Sequence, residues 1–147
     1  MNILSFNSSI GWITISEEKD LVTSIKFGKN KNIGKNIVLI KLKKQILEFI
    51  KGKRKKFSIK LHIKGSSLQK KIWKQLSSIR YGDTKTYGEI ARILGTSPRY
   101  IGNVCGQNNH LLVIPCHRVI RSDGTLGGFS GLGGIKLKQK LLNIEQA

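Results

Sequence analysis

Acidic side chains are scarce in this chain. Eight Asp and Glu stand against 27 Lys and Arg, leaving a formal net charge of +19 and a pI near 10.3. Residues 1–60 hold 14 basic and 4 acidic side chains, and residues 61–147 hold 13 and 4. The excess is therefore spread over the whole chain, which excludes a neutral domain with a basic tail and points to nucleic acid or another polyanion as partner. Part of the Lys count, with the heavy Ile and Asn usage, is what an AT-rich genome produces. No apolar run approaches the ~20 residues that a membrane span needs. The first residues, Met1 to Asn7, show neither a basic n-region nor an apolar h-region. Cysteine is nearly absent, with two residues, Cys105 and Cys116. With no export signal, the expectation is a cytoplasmic protein whose two thiols stay unpaired. Internal repeats and low-complexity segments are missing as well. At 147 residues the chain fits one compact domain or two small ones.

Against this background one string stands out, Ile114-Pro115-Cys116-His117-Arg118. A free thiol with pKa ~8.5 is only a few per cent ionised at neutral pH, and an imidazole or positive surroundings raise that fraction. The string reads as an activated nucleophile in a protein built to meet a polyanion. A buried structural Cys beside an unrelated His is the alternative, because adjacency in sequence does not point two side chains at each other. Cys105, His110, Cys116 and His117 match no standard zinc spacing. His62 and His110 read as surface or packing residues, and Cys105 as a small core residue. The run Lys51-Gly52-Lys53-Arg54-Lys55-Lys56 reads as a solvated loop that adds non-specific attraction.

The hydrophobic pattern predicts an α+β protein. Ile3–Phe6, Gly11–Ile15 and Val22–Phe27 read as three short strands in a meander. Helical spacing follows over Ile37–Lys51, and Phe57–Ile63 reads as a further strand. Residues 1–62 thus form an N-terminal α+β unit of meander plus helix, and residues 63–147 a mainly helical C-terminal unit. In the latter, Ser67–Ile79 is an amphipathic helix. Thr86-Tyr87-Gly88-Glu89 has the form of a capping box opening a helix that stops at Gly95. Ser97 then caps a helix with Pro98 in its first turn. The two short helices make a helix-turn-helix. Leu111–Ile114 reads as a buried extended segment leading to Pro115. The glycine-rich stretch from Gly127 to Gly134 lacks the Gly-Lys-Ser/Thr ending of a nucleotide P-loop. A final helix spans Ile135–Ile144.

Pro115-Cys116-His117-Arg118-Val119-Ile120 resembles the active-site signature of the O6-alkylguanine-DNA alkyltransferases, also called methylated-DNA–protein-cysteine methyltransferases. Ile72-Trp73, Ile79-Arg80-Tyr81-Gly82, Thr86-Tyr87-Gly88-Glu89-Ile90-Ala91, Arg99, Ile101-Gly102, Asn108, Gly127-Gly128-Phe129-Ser130-Gly131 and Leu141-Leu142 with Glu145 stand in the family's order. The resemblance covers about residues 65–146 closely; residues 1–62 resemble the family's more variable N-terminal domain. Two departures are visible. Asn109 stands where the family usually has Pro, which would loosen the strand feeding Pro115. The Gly131–Gly134 stretch looks about two residues longer than in better-known members.

The resemblance implies a division of labour. Cys116 accepts the alkyl group, His117 deprotonates it through a water, Glu145 orients His117 as in a catalytic triad, and Asn108 buttresses the network. Tyr87 protonates the departing guanine. Arg99, with Tyr100 beside it on the second helix, fills the gap left by the flipped base in the minor groove. Ser130 and Phe129 belong to the loop at O6, the carbonyls of Cys116 and Val119 accept from the guanine amino group, and Arg118 is structural. The implied partner is double-stranded DNA carrying O6-alkylguanine, with O4-alkylthymine a second lesion. The implied protein is a monomer that reacts once and uses no metal or cofactor. A sequence-specific helix-turn-helix regulator, an alkyltransferase-like protein that binds lesions without repairing them, and a cysteine hydrolase are the competing functions.

Overall fold

A computed structural model of the chain describes residues 1–127 and 134–147. Among them lie five α-helices, a three-stranded antiparallel sheet and a two-stranded parallel one. Strands β1 (Asn2–Ser8), β2 (Gly11–Glu18) and β3 (Leu21–Phe27) form the meander in sequence order. Their alternating residues Ile13, Ile15, Val22 and Ile25 are fully buried under helix α1 (Ile37–Ile50), which contributes Leu39, Leu42, Ile46 and Phe49. Helices α2 (Ser67–Ser77), α3 (Tyr87–Leu94), α4 (Pro98–Gly106) and α5 (Gly134–Gln146) follow. The buried apolar side chains form one continuous cluster running from Phe6 to Leu141. No helix among the described residues is long and apolar enough to cross a membrane.

The caps form as the local sequence dictates. Glu89 N–H donates to Thr86 Oγ1 at 3.0 Å, and Thr86 N–H donates to Glu89 Oε1 at 3.2 Å, opening α3. Gly95 ends that helix in the left-handed region at φ +68°, which costs a glycine nothing. Ser97 Oγ then accepts from Tyr100 N–H at 3.1 Å, with Pro98 in the first turn of α4.

Two expected strands do not form. The segment Phe57–Ile63 makes only an isolated bridge, His62 N–H to Val22 O at 2.8 Å and Val22 N–H to Lys60 O at 3.0 Å. The reason is competition for one sheet edge. Further along β3, Ile25 N–H donates to Asn109 O at 2.8 Å and Leu111 N–H donates to Ile25 O at 3.2 Å. Each segment therefore has room for one bridge and no ladder. Leu111–Ile114 is buried, as its composition demands, but it is coiled. Ile114 N–H donates to His110 O at 2.9 Å, Val113 N–H to Leu111 O at 2.9 Å, and Leu112 takes φ +73°. Local turns thus satisfy backbone groups that a strand would have paired with a neighbour. Asn109 does not leave this segment untied, since its carbonyl is one of the two anchors on β3. Helix α2 stops at Ser77, two residues short of Ile79.

Candidate active site

Cys116 opens a single 3-10 turn, Cys116–Arg118, that follows the coiled segment and leads into strand β5 (Val119–Ile120). Strand β5 pairs in parallel with β4 (Lys85–Thr86), immediately before α3, so Tyr87 is held close to the cysteine. Asn108 holds the turn from behind: its Nδ2 donates to Ile114 O at 2.8 Å, and its Oδ1 accepts from His110 N–H at 2.8 Å. Asn108 also lies close enough to the Cys116 thiol to favour its thiolate. Cys116 is only 3 % exposed. Burial pushes its thiol up to about 11, against the smaller opposing pull of the Asn108 side chain and the Lys138 charge. At rest the group is a thiol, so the string of residues around it does not ionise it unaided.

The next residue carries a neutral imidazole. His117 is fully buried, and its Nε2–H meets Glu145 Oε2 at 2.5 Å. Burial holds the imidazole below its ordinary pKa despite the Glu145 hydrogen bond, so it is neutral at physiological pH. With the Nε2 proton engaged, Nδ1 is the basic nitrogen, and it makes no hydrogen bond to any described residue. Glu145 is gripped on several sides. Arg118 Nε donates to Oε1 at 2.9 Å and to Oε2 at 3.1 Å, and Gly82 N–H donates to Oε1 at 3.0 Å. Burial opposes ionisation of Glu145, but the His117 and Arg118 hydrogen bonds outweigh it and hold the carboxyl at about 2. Arg118 also donates from Nη1 to Ile79 O at 2.7 Å, so its role is to pin Glu145 and the end of the α2 segment together.

A cleft of about 560 Å³ opens in front of Cys116. Tyr87, Arg99, Gly102, Cys105, Arg121 and Gly127 line it. Arg99 is exposed on α4 at the cleft, and Tyr100 beside it is half-buried and not among the cleft's lining residues. Val119 is buried at the base of β5, and its N–H already donates to Cys116 O. Cys105 is buried at the cleft, with burial pushing its thiol up to about 12. Of the two roles expected of His110, it takes the packing one: it is buried, and its Nε2 bonds Val22 O at 3.0 Å. Ser130 and Phe129, expected at O6, lie outside the described residues. No three His, Cys, Asp or Glu side chains cluster among the described residues as a metal site would need.

One residue escaped the sequence reading altogether. Lys138 on α5 is fully buried, and its Nζ donates to Tyr87 Oη at 3.2 Å and to Leu126 O at 2.5 Å. The phenol oxygen accepts from the ammonium, which leaves the phenol's own proton to point elsewhere. Burial pushes the Tyr87 phenol up to about 12, so it keeps that proton. The signal for Lys138 was present: it stands seven residues before Glu145, on a helical stripe with Leu141 and Leu142 where only apolar side chains are expected. Gly127 explains itself by contact. It takes φ +71°, and a Cβ there would lie 3.0 Å from Tyr87 Oη and 3.1 Å from Tyr87 Cε2.

Residues 67–147 match the family described as 6-O-methylguanine DNA methyltransferase, DNA binding domain. A methylated-DNA–protein-cysteine methyltransferase of Metallosphaera sedula is 34 % identical over 144 residues, which span 96 % of this chain and 90 % of the relative. One from Methanosarcina acetivorans is 31 % identical over 150 residues, spanning 95 % of each. Among solved structures, Mycobacterium tuberculosis OGT in complex with DNA superposes with a TM-score of 0.86 at 29 % identity, covering 98 % of this chain and 92 % of that one. On the length and identity of these matches, the chain belongs to the methylated-DNA–protein-cysteine methyltransferase family.

Proposed function

We propose that Cys116 is the alkyl acceptor and that the groups around it act in the following order. The chain repairs alkylated DNA by alkyl transfer, and DNA is its partner. The lesion is O6-alkylguanine, with O4-alkylthymine as a second substrate. An O6-alkyl group is shielded by stacking, so the base has to turn out of the helix into the cleft. His117, through one water at Nδ1, takes the Cys116 proton, and Glu145 stabilises the imidazolium that results. The sulfur attacks the alkyl carbon, the carbon–O6 bond breaks, and its electron pair leaves with guanine. Tyr87 protonates the departing base, and the proton removed from the thiol balances the one given to guanine. Asn108 steadies the thiolate, and the free lone pair of Cys116 O together with Val119 O receives the guanine amino group. The thioether is stable, so each molecule reacts once. Arg99, flanked by Tyr100, occupies the gap left in the stack, with α3 and α4 acting as a helix-turn-helix. Residues 1–62 and 63–147 serve as two units of a monomer, the second carrying DNA binding and chemistry. The two free cysteines fit a reducing cytoplasm.

The observation that carries this reading is one cleft lined by Cys116, Tyr87 and Arg99, with the next residue in the chain, His117, buried, neutral and held by Glu145. A regulator needs no buried thiol at its DNA face. Incubation with duplex DNA containing O6-methylguanine should add about 14 Da, one methyl in place of hydrogen, to the intact protein. Peptide mapping should place it on Cys116; Cys105→Ser should still react, and Cys116→Ser should bind DNA without reacting. Alkylation of Cys105 would refute the assignment. Arg99→Ala should slow repair of duplex DNA far more than reaction with free O6-benzylguanine, which needs no flipping. Equal losses on both would remove Arg99 from the flipping step.

A further inference from the structure

The largest concavity described is not the one in front of Cys116. A groove of about 1100 Å³ runs between the outer face of α2 and the segment after α1, and it shares no lining residue with the Cys116 cleft. Its floor is apolar, built from Phe57, Leu61, Ile63, Val113, Ile114 and Pro115. Its charged lining is entirely positive. Lys70 and Lys74, one turn apart on α2, stand on one side with Arg80, and Lys55 and Lys56 stand on the other. Lys55, Lys56, Lys70 and Lys74 are exposed, and none is in an ion pair among the described residues. Among the described residues no carboxylate lines the groove.

Cations alone would attract any polyanion, so the floor decides the occupant. Strands of nucleic acid in such grooves gain affinity by stacking bases on open aromatic faces. Here the aromatic side chains of the lining are already engaged: Trp73 is buried, and its Nε1–H reaches Val104 O at 3.4 Å. The Tyr81 ring lies under Lys55 Nζ at 5.6 Å and near the Arg118 guanidinium at 5.7 Å, and Phe57 packs against Phe49 with centroids 5.5 Å apart. Leu61, Ile63 and Val113, half-buried as Phe57 and Tyr81 are, make the rest of the floor aliphatic. An aliphatic floor between two rows of ammonium groups matches a chain in which carboxylates alternate with apolar side chains. We propose that this groove docks an acidic peptide segment of a partner protein, with apolar side chains seated on Leu61, Ile63 and Val113 and carboxylates on Lys55, Lys56, Lys70 and Lys74.

The test uses the whole chain and a fluorescently labelled ten-residue peptide in which Asp alternates with Leu and Phe. Binding is read by anisotropy at about 0.15 M salt, where distant charges are screened. Lys70→Glu/Lys74→Glu should weaken the peptide at least tenfold. Lys26→Glu/Lys29→Glu makes the same change in net charge away from the groove and should weaken it less than twofold. A peptide with Ser in place of Leu and Phe should lose at least tenfold. The proposal fails if the Ser peptide binds as tightly, because the attraction is then charge alone. It fails equally if the Lys26/Lys29 reversal costs as much as the Lys70/Lys74 reversal. A decathymidylate that binds more tightly than the peptide, and loses that advantage in the Lys70/Lys74 variant, would assign the groove to single-stranded nucleic acid instead. Lys70 and Lys74 are exposed, so an unchanged thermal melt is expected of the double variant and confirms that the fold is intact.

Discussion

Glu145 answers to three partners, His117, Arg118 and Gly82, and this governs how its variants behave. Glu145→Gln leaves the buried Arg118 guanidinium without its counter-charge, a loss of about 3–5 kcal/mol. A slow reaction in that variant therefore reports damage to the fold as much as to the base. His117→Phe is the cleaner probe, since Glu145 keeps Arg118 and Gly82. It should slow alkyl transfer by about 10²–10⁴-fold, the usual worth of a general base, in single-turnover quench-flow with the thermal melt checked alongside. In the unaltered protein the rate should hold down to pH values below 6.5, because burial keeps His117 neutral beyond the range of a free imidazole. An acid limb at or above pH 6.5 would mean a different base. The pairing of His117 with Glu145 was anticipated only through the family resemblance, since 28 residues separate the two in the chain. Lys138 and the grip of Arg118 on Glu145 were not anticipated, because a lone charge in a helical stripe declares its burial only once its neighbours are packed.

At the scale of elements, α5 carries two charges into the site at a spacing of seven residues, Lys138 against Tyr87 and Glu145 against His117. Replacing Lys138 by Met removes the cation that favours the thiolate and the donor that orients the phenol. Transfer should fall at least ~10-fold, the thiol alkylation profile should move to higher pH, and the melting temperature should hold or rise, because a buried ammonium costs desolvation. A normal rate in Lys138→Met would show that the Tyr87 proton needs no such partner. Gly127→Ala should slow transfer as well, since its Cβ meets the Tyr87 ring at a backbone angle that disfavours alanine. The helices and their caps could be read in advance, because Thr86, Glu89, Gly95, Ser97 and Pro98 act within one turn of themselves. The segments 57–63 and 111–114 could not. Their conformation depends on how β3 shares its edge between two distant stretches, and composition carries no record of that contest.

For the whole molecule, the buried histidines set the acid side of stability. Burial lowers the folded pKa of both His117 and His110, so the unfolded chain binds more protons below about pH 6.5. Stability is then complete above that value and declines as pH falls through it. Glu145, held at about 2 when folded against an ordinary 4.5, adds a second loss that begins below about pH 4.5 and is complete near 2. Urea midpoints measured from pH 8 to 4 should fall in the first step, and His110→Phe with His117→Phe should flatten it; an unchanged slope would place the proton uptake elsewhere. The burial of Cys116 has a further consequence, for the lifetime of the unreacted protein. A thiol that burial pushes up to about 11 holds far less thiolate at neutral pH than a free cysteine. Small oxidants and soluble electrophiles that drift past therefore meet an almost inert sulfur. On the proposed chemistry, in which each molecule reacts once, the sulfur is kept in reserve until a base occupies the cleft, much as a match is kept dry until it is struck.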